Sequence, residues 1–202
     1  MKQEATSNMN AFTAAANPGK KNIAGRQEAH QHPDLAGDFA KLSPNSCQLV
    51  LSAINTVRRA LNNGFAIPPH ILVEDNTCTG IVKVDDRSND AMTFSANCAR
   101  NLARQTNAEF AMLVSMNWVL PESQRKNTHA VLAKYGRISN YPASELVVLF
   151  HLETRHGRHG ALVPILDCPP SQTRKKLGEV NWQDCNDAVG TFVGMVALDS
   201  AH

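Results

Sequence analysis

Two unbroken apolar runs constrain the fold of this chain more than any other feature of its sequence. Residues 110–114 and residues 146–150 each consist of five consecutive apolar side chains. Runs of this kind are typical of central β-strands covered on both faces, because a strand with one solvated face alternates apolar and polar residues. The sequence therefore predicts a sheet whose middle strands are buried between two layers.

An amphipathic helix is predicted over about residues 45–62. Ser43 is a favourable N-cap and Pro44 a favourable first helical residue. Apolar side chains then recur at helical spacing, at Leu49, Val50, Ala53, Ile54, Val57 and Leu61. Residues 62–64, Asn-Asn-Gly, end the helix, and a proline pair at 68–69 prevents it from resuming.

A β-hairpin and a second helix follow. Residues 71–75 and 81–85 form two short strands rich in β-branched side chains, separated by a turn-rich stretch. The second helix is predicted from Ser88 or Asn89 to Thr106. Small residues make up much of its apolar side, which predicts close packing against a sheet: Met92, Ser95, Ala99, Leu102 and Ala103.

The remaining segments give weaker signals. Residues 124–142 form a long polar connection, and connections of this length tend to be functional or disordered. Residues 161–166 form a strand that Pro164 restricts to an edge or a bulge. Residues 174–176 form a basic turn, and residues 182–198 fit either a strand or a helix.

Together these segments predict an α+β fold: a mixed, largely antiparallel sheet with two main helices packed on it. Residues 1–42 lack a sustained apolar period, so we expect them to form a disordered or weakly structured tail. Residues 43–202 are expected to form a single domain.

Composition favours a cytoplasmic protein without a membrane span. The 202 residues include 20 Lys and Arg against 18 Asp and Glu, and this near-neutral balance argues against a dedicated polyanion-binding protein. No stretch approaches the roughly 18 consecutive apolar residues of a membrane helix. The five cysteines include no CxxC pair, so neither a disulfide framework nor a zinc knuckle is predicted.

Two short motifs resemble those of a set of small uncharacterised α+β proteins from bacteria and phages. Residues 114–118, Val-Ser-Met-Asn-Trp, resemble a strand end of the form Val-Ser-Glu-Ala-Trp, and residues 142–145, Pro-Ala-Ser-Glu, resemble the start of the next strand. The resemblance covers roughly residues 49–167. It implies the same fold and a phage, plasmid or other mobile-element context, and it names no activity. Met116 stands where that family has Glu, so any role of that Glu does not carry over.

The segment 151–159 offers candidate metal ligands. Imidazole nitrogen and carboxylate oxygen are the usual donors to divalent metals, and the candidates here are His151, Glu153, His156 and His159. Strand alternation places His151 and Glu153 on one face. The spacing matches no established metal motif, so a solvated hairpin tip is the simpler interpretation.

The hairpin acids offer a second set of candidates. Glu74 with Asp75 and Asp85 with Asp86 flank the hairpin, and Lys83 lies between them. Two acids and a lysine are the components of a metal-dependent nuclease site. Their order matches no recognised motif, and charges at strand ends also keep sheet edges soluble. A metal-dependent hydrolase or nuclease is therefore the alternative function.

Motifs for covalent catalysis and for cofactor binding are missing from the sequence. It contains no GxSxG nucleophile elbow and no GxxxxGK[ST] or GxGxxG phosphate loop. We therefore expect no cofactor. Whether the chain is an enzyme stays open, and the sequence favours a binding role.

Nucleic-acid binding is the less favoured kind of binding. The basic candidates could lie together if the last strands pair, with Trp182 as a stacking surface: Arg155, Arg158, Arg174, Lys175 and Lys176. Residues 43–202, however, carry 15 Lys and Arg against 14 Asp and Glu, a net charge of +1. Such a balance does not favour a polyanion as the partner.

Protein binding is the leading expectation. Trp118 and Leu120 end a predicted buried strand and lead into the long connection that contains Tyr135 and Tyr141. Exposed aromatic side chains beside such connections are common partner contacts. The sequence thus predicts a small cytoplasmic binding or accessory protein with a protein partner, and self-association stays open.

Overall fold

The computed structural model describes residues 42–75 and 79–197. The main helices are α1 (Pro44–Asn62), α2 (Asn89–Thr106) and α3 (Thr128–Tyr135), and two 3₁₀ turns, Glu122–Asn127 and Ile138–Asn140, flank α3. The strands are β1 (His70–Glu74), β2 (Thr79–Lys83), β3 (Phe110–Val119), β4 (Glu145–Thr154), β5 (Gly157–Cys168), β6 (Ser171–Leu177) and β7 (Gln183–Asp184). The α+β class is therefore confirmed.

All the strands join one sheet in the order β2-β1-β3-β4-β5-β6, and β7 pairs with β5 beside β6. Every pairing among the described strands is antiparallel. The long central pair, β3 and β4, aligns Phe110 with Thr154 and Val119 with Glu145. The end of β3 and the start of β4 consequently share one end of the sheet.

The central strands are buried on both faces, as the apolar runs predict. Phe110, Met112 and Val114 belong to the hydrophobic cluster on the α1 side, whereas Ala111 and Leu113 belong to a second cluster on the α2 side. Both strands extend beyond their apolar runs, because backbone pairing continues through residues 115–119 of β3.

Helix α1 begins and ends close to the predicted boundaries. The hydroxyl of Ser43 accepts a hydrogen bond from the backbone N–H of Ser46 at 3.2 Å, and Pro44 occupies the first turn. Its buried stripe packs over the sheet: Cys47, Val50, Leu51, Ile54, Val57 and Leu61. Burying this stripe supplies most of the helix's stability, since isolated helices of this length are marginal in water.

Helix α2 packs closely on the opposite face, as its small residues predict. Ser88 caps the helix and Asn107 ends it in the left-handed conformation at φ 53°. The fully buried positions are Ser95, Ala96, Ala99 and Ala103. At Gly80 of β2, an added Cβ would lie 2.5 Å from Leu102 Cδ2, so glycine permits the close approach.

Pro164 lies where the outer edge of β5 has no neighbouring strand. Strand β6 pairs from Ile165 onward, and β7 pairs only with His159 and Gly160. The carbonyl of Pro164 accepts a bond from Gly178 N–H on this outer side, so the missing proline N–H removes no bond to β4. The local edge prediction is confirmed.

Three segments differ from the sequence prediction. The connection 124–142 is largely helical, and residues 174–176 belong to strand β6. β6 is an edge strand with a single buried side chain, Leu177, so its polar sequence gives no strand signal. Within residues 182–197, the only regular element is β7, a pair of strand residues.

The expected tail lies almost wholly outside the described residues, as does the turn of the first hairpin at 76–78. In the part of the chain that is described, no helix combines the length and the apolar character that a membrane crossing requires.

Candidate functional site

His151 and Glu153 lie side by side on the α2 face of the sheet, as strand alternation predicts. His151 Nε2 is 3.3 Å from Glu153 Oε1. Both side chains are buried, and Glu153 is fully enclosed. A buried carboxylate needs hydrogen-bond donors to offset its lost hydration. The other groups around Glu153 therefore show whether its carboxylate has a structural role.

Glu153 is bound by the backbone of the C-terminal segment. Its carboxylate accepts N–H groups from Gly194 at 2.8 Å, Met195 at 2.5 Å and Val196 at 3.2 Å. Burial alone would raise the pKa of Glu153, but the hydrogen bonds from His151 and from the three backbone N–H groups outweigh it and lower the pKa. The carboxylate is therefore charged and saturated with donors.

Two arginines complete this attachment of the C-terminal segment. Arg158 Nε lies 3.4 Å from Glu153 Oε1, and its Nη1 donates to the carbonyl of Asn186 at 3.1 Å. Arg100 of α2 donates to the carbonyls of Thr191 and Val193. Glu153 thus holds residues 194–196 against the sheet and acts as a structural anchor, with Arg158 and Arg100 holding residues 186, 191 and 193.

The other two candidate ligands lie elsewhere. His159 faces Leu152 across the β4–β5 pair, on the α1 side of the sheet, and His156 is exposed in the turn between these strands. Within the described ranges, no group of three or more His, Cys, Asp or Glu residues is arranged to hold a metal ion. The four candidates are therefore not brought together as one set.

The hairpin acids lie at opposite ends of the hairpin. Glu74 ends β1, whereas Asp85 follows Lys83, which pairs with His70 at the other end. Asp85 is bound by the guanidinium of Arg87, whose hydrogen bonds lower the pKa of Asp85 to about 2. The pairing that the nuclease alternative requires is absent from these residues.

Glu74 instead points into a buried polar cluster at the start of α1. It is 4% exposed, and its Oε2 lacks a hydrogen-bond partner. Burial, followed by repulsion from Glu109 and Asp75, raises its pKa from 4.5 to about 7, against the lowering effect of a hydrogen bond with Ser46. Glu109 accepts the N–H of Ser43 at 2.6 Å and the hydroxyl of Ser46 at 2.8 Å.

The basic candidates separate into two groups. Arg155 donates to the carbonyls of Asn107 and Ala108, and Arg158 lies at the start of β5. Residues 174–176 pair with the far end of β5, around Asp167. Antiparallel pairing of β5 with β6 therefore keeps these groups apart, and the expected single basic surface is wrong.

Trp182 is partly buried against the hydrophobic core. Its ring is 6.2 Å from that of Phe150, and it packs against the α1-side cluster.

The candidate surface is the end of the sheet where β3 ends and β4 begins, which we term the Trp118 end. It comprises Trp118 and the connecting segment 121–142. Trp118 is 45% exposed although the strand that carries it is largely buried. Leu120, in contrast, is only 4% exposed, so its predicted role as a surface contact is wrong.

The two tyrosines predicted for this surface lie together. The rings of Tyr135 and Tyr141 meet edge to face with centroids 5.4 Å apart, and the ammonium of Lys134 lies 5.2 Å from the Tyr135 centroid. Both rings are partly exposed. The inward side chain Val131 and the contact of residues 138–140 with β3 hold the segment in place.

Further exposed apolar side chains lie at the same end. Phe65 is 66% exposed, in the link that runs from α1 to the start of β1. That link begins beside strand β6, since a Cβ added at Gly64 would lie 3.3 Å from the side chain of Thr173. Leu132 of α3 is also exposed, as is Leu166 near the end of β5, which strand alternation places on the opposite face of the sheet from Trp118. Sequence reasoning missed these three residues, because nothing in their local pattern separates them from core positions.

Comparison with known proteins adds no relative. No protein-family model, no curated protein and no solved structure matches this chain.

Proposed function

We propose that this chain acts as a binding protein, and that its contact surface is the Trp118 end. The observation that carries the proposal is the exposure of Trp118 and Leu132 there, beside the partly exposed ring pair of Tyr135 and Tyr141. Large apolar and aromatic side chains left exposed beside a connecting segment are a mark of an interaction site. Trp and Tyr are also the side chains that contribute most to binding when a partner covers them.

The role of the other candidate site supports this choice of surface. The most chemically promising group, Glu153 with His151, has its donors and acceptors engaged in holding the C-terminal segment. At the Trp118 end, by comparison, the exposed side chains Trp118 and Leu132 do not belong to the hydrophobic core. The proposal includes a cytoplasmic setting, which suits the free thiols of Cys47, Cys98, Cys168 and Cys185. It also includes the mobile-element context that the sequence resemblance implies.

Affinity capture with two matched variants tests the proposal. Trp118→Ala removes an exposed ring from the Trp118 end, and Phe94→Ala removes a 70% exposed ring from α2, on another face. We expect species captured from cell extract by the unmodified chain to be lost with Trp118→Ala and retained with Phe94→Ala. Equal capture by both variants would contradict the proposed surface.

A further inference from the structure

We propose that the partner bound at the Trp118 end is a single-stranded nucleic acid. This inference rests on the proposed function and adds the chemical class of the partner. It comes from the charge and the ring content of one continuous segment.

The segment 121–142 carries positive charge that the fold leaves unneutralised. It contains four cations, Arg125, Lys126, Lys134 and Arg137, and a single acid, Glu122. All four cationic side chains are exposed. Among the described residues, none of them forms an ion pair. The segment therefore has a net charge of +3, whereas the whole chain has +2.

The same end of the sheet receives further cations from β6. Its pairing with residues 165–168 places β6 beside the end of β5, and Pro164 pairs with Val147 near the start of β4. Lys175 is bound to Asp167, but Arg174 and Lys176 are exposed and form no ion pair among the described residues. The near-neutral total thus conceals a local excess of positive charge.

Aromatic rings are interleaved with these cations. Trp118 precedes the segment, and Tyr135 and Tyr141 lie within it next to Lys134. Single-stranded nucleic acid is bound by this combination, since cations contact the phosphates while rings stack on unpaired bases. An acidic protein would use the cations but has fewer flat surfaces for the rings. The argument from sequence against a nucleic-acid partner relied on the average charge, which does not describe this surface.

Fluorescence anisotropy of a labelled oligothymidylate of about 15 nucleotides, titrated with the full chain, tests the inference. We expect salt-dependent binding. The double variant Lys134→Gln, Arg137→Gln removes two phosphate contacts, so the slope of log affinity against log salt should decrease in magnitude by about 1.4. Trp118→Leu keeps an apolar side chain but removes the ring, and should weaken binding about fivefold or more.

Arg104→Gln is the matched control, because it removes one exposed cation from the last turn of α2 at the opposite end of the sheet. We expect it to bind the oligonucleotide as the unmodified chain does. Absence of binding, or equal weakening by Arg104→Gln, would overturn the inference.

Polyglutamate of matched charge is the second probe. Binding of polyglutamate as tightly as the oligonucleotide, with the same response to the variants, would overturn the nucleic-acid assignment in favour of an acidic protein. Failure of the nucleic-acid assignment does not by itself exclude a binding surface at the Trp118 end, because the capture comparison of Trp118→Ala with Phe94→Ala uses no nucleic acid.

Discussion

Folding raises the pKa of one buried carboxyl group, that of Glu74, so the group keeps its proton to a higher pH than in the unfolded chain. Its folded pKa is raised from 4.5 to about 7 by burial, with repulsion from Glu109 and Asp75 adding to it. Between these two values the unfolded chain releases a proton that the folded chain keeps. The free energy of unfolding should therefore fall by about 3 kcal/mol as pH rises through this window, and the loss is complete above about pH 7.

The variant Glu74→Gln tests this prediction, because its side chain stays neutral at every pH. We expect the variant to be more stable than the unmodified chain at pH 8, and the difference to shrink towards pH 5. Urea unfolding at the two pH values measures both differences. An equal effect of the substitution at pH 5 and pH 8 would show that Glu74 is not the titrating group.

Glu74 also shows why the neighbours of a residue in the fold are hard to predict from the sequence around it. The sequence marks it as a hairpin acid beside Asp75, with Asp85 as its expected partner. Its actual neighbour, Glu109, is distant in sequence and is brought close because β1 pairs with β3, where Glu74 aligns with Phe110. Local patterns carry no record of such pairings, so this cluster could not be predicted.

At the scale of elements, the C-terminal segment depends on one side chain of β4. Glu153 accepts three backbone N–H groups from residues 194–196. Glu153→Ala would leave these N–H groups without their acceptor and Arg158 without its carboxylate partner, and we expect a loss of about 3 kcal/mol or more in unfolding free energy. Because the pKa of Glu153 is lowered, its stabilisation is present above pH 4.5 and is lost as pH falls through the folded pKa.

Hydrogen exchange locates this effect within the molecule. In Glu153→Ala, the amides of residues 190–197 should exchange much faster, while those of β3 retain protection from their pairing with β1 and β4. Conversely, unchanged exchange in residues 190–197 would show that the anchor lies elsewhere. Phe94→Ala is the control, since it alters an exposed side chain of α2 without touching this segment.

A helix or strand could be predicted when the residues that mark it lie within the element itself. Helices α1 and α2 were predictable because their apolar side chains recur at helical spacing, and strands β1 to β4 because they consist of short apolar or β-branched runs. Segment 122–140 was not, since its 3₁₀ turns expose nearly all their side chains. Strand β6 was hidden for a similar reason, because it is an edge strand held by backbone pairing with β5.

For the molecule as a whole, the sheet separates a structural end from the proposed binding end. The end near the start of β3 holds the buried carboxylate Glu74, the partly buried Glu109 and the anchor Glu153. The opposite end carries Trp118, the tyrosine pair and the unneutralised cations. Sequence reasoning predicted Trp118, Tyr135 and Tyr141 for this surface. It did not predict the local charge, which depends on where β6 and the 121–142 segment meet the sheet.

Tryptophan fluorescence tests the central claim most directly, because one of the two tryptophans, Trp118, is exposed and the other, Trp182, is partly buried against the core. Trp182→Phe leaves Trp118 as the sole reporter, and Trp118→Phe leaves Trp182. We expect oligothymidylate to quench Trp118 emission in a saturable manner and to leave Trp182 emission unchanged. No response from Trp118, or an equal response from both tryptophans, would contradict nucleic-acid binding at the Trp118 end.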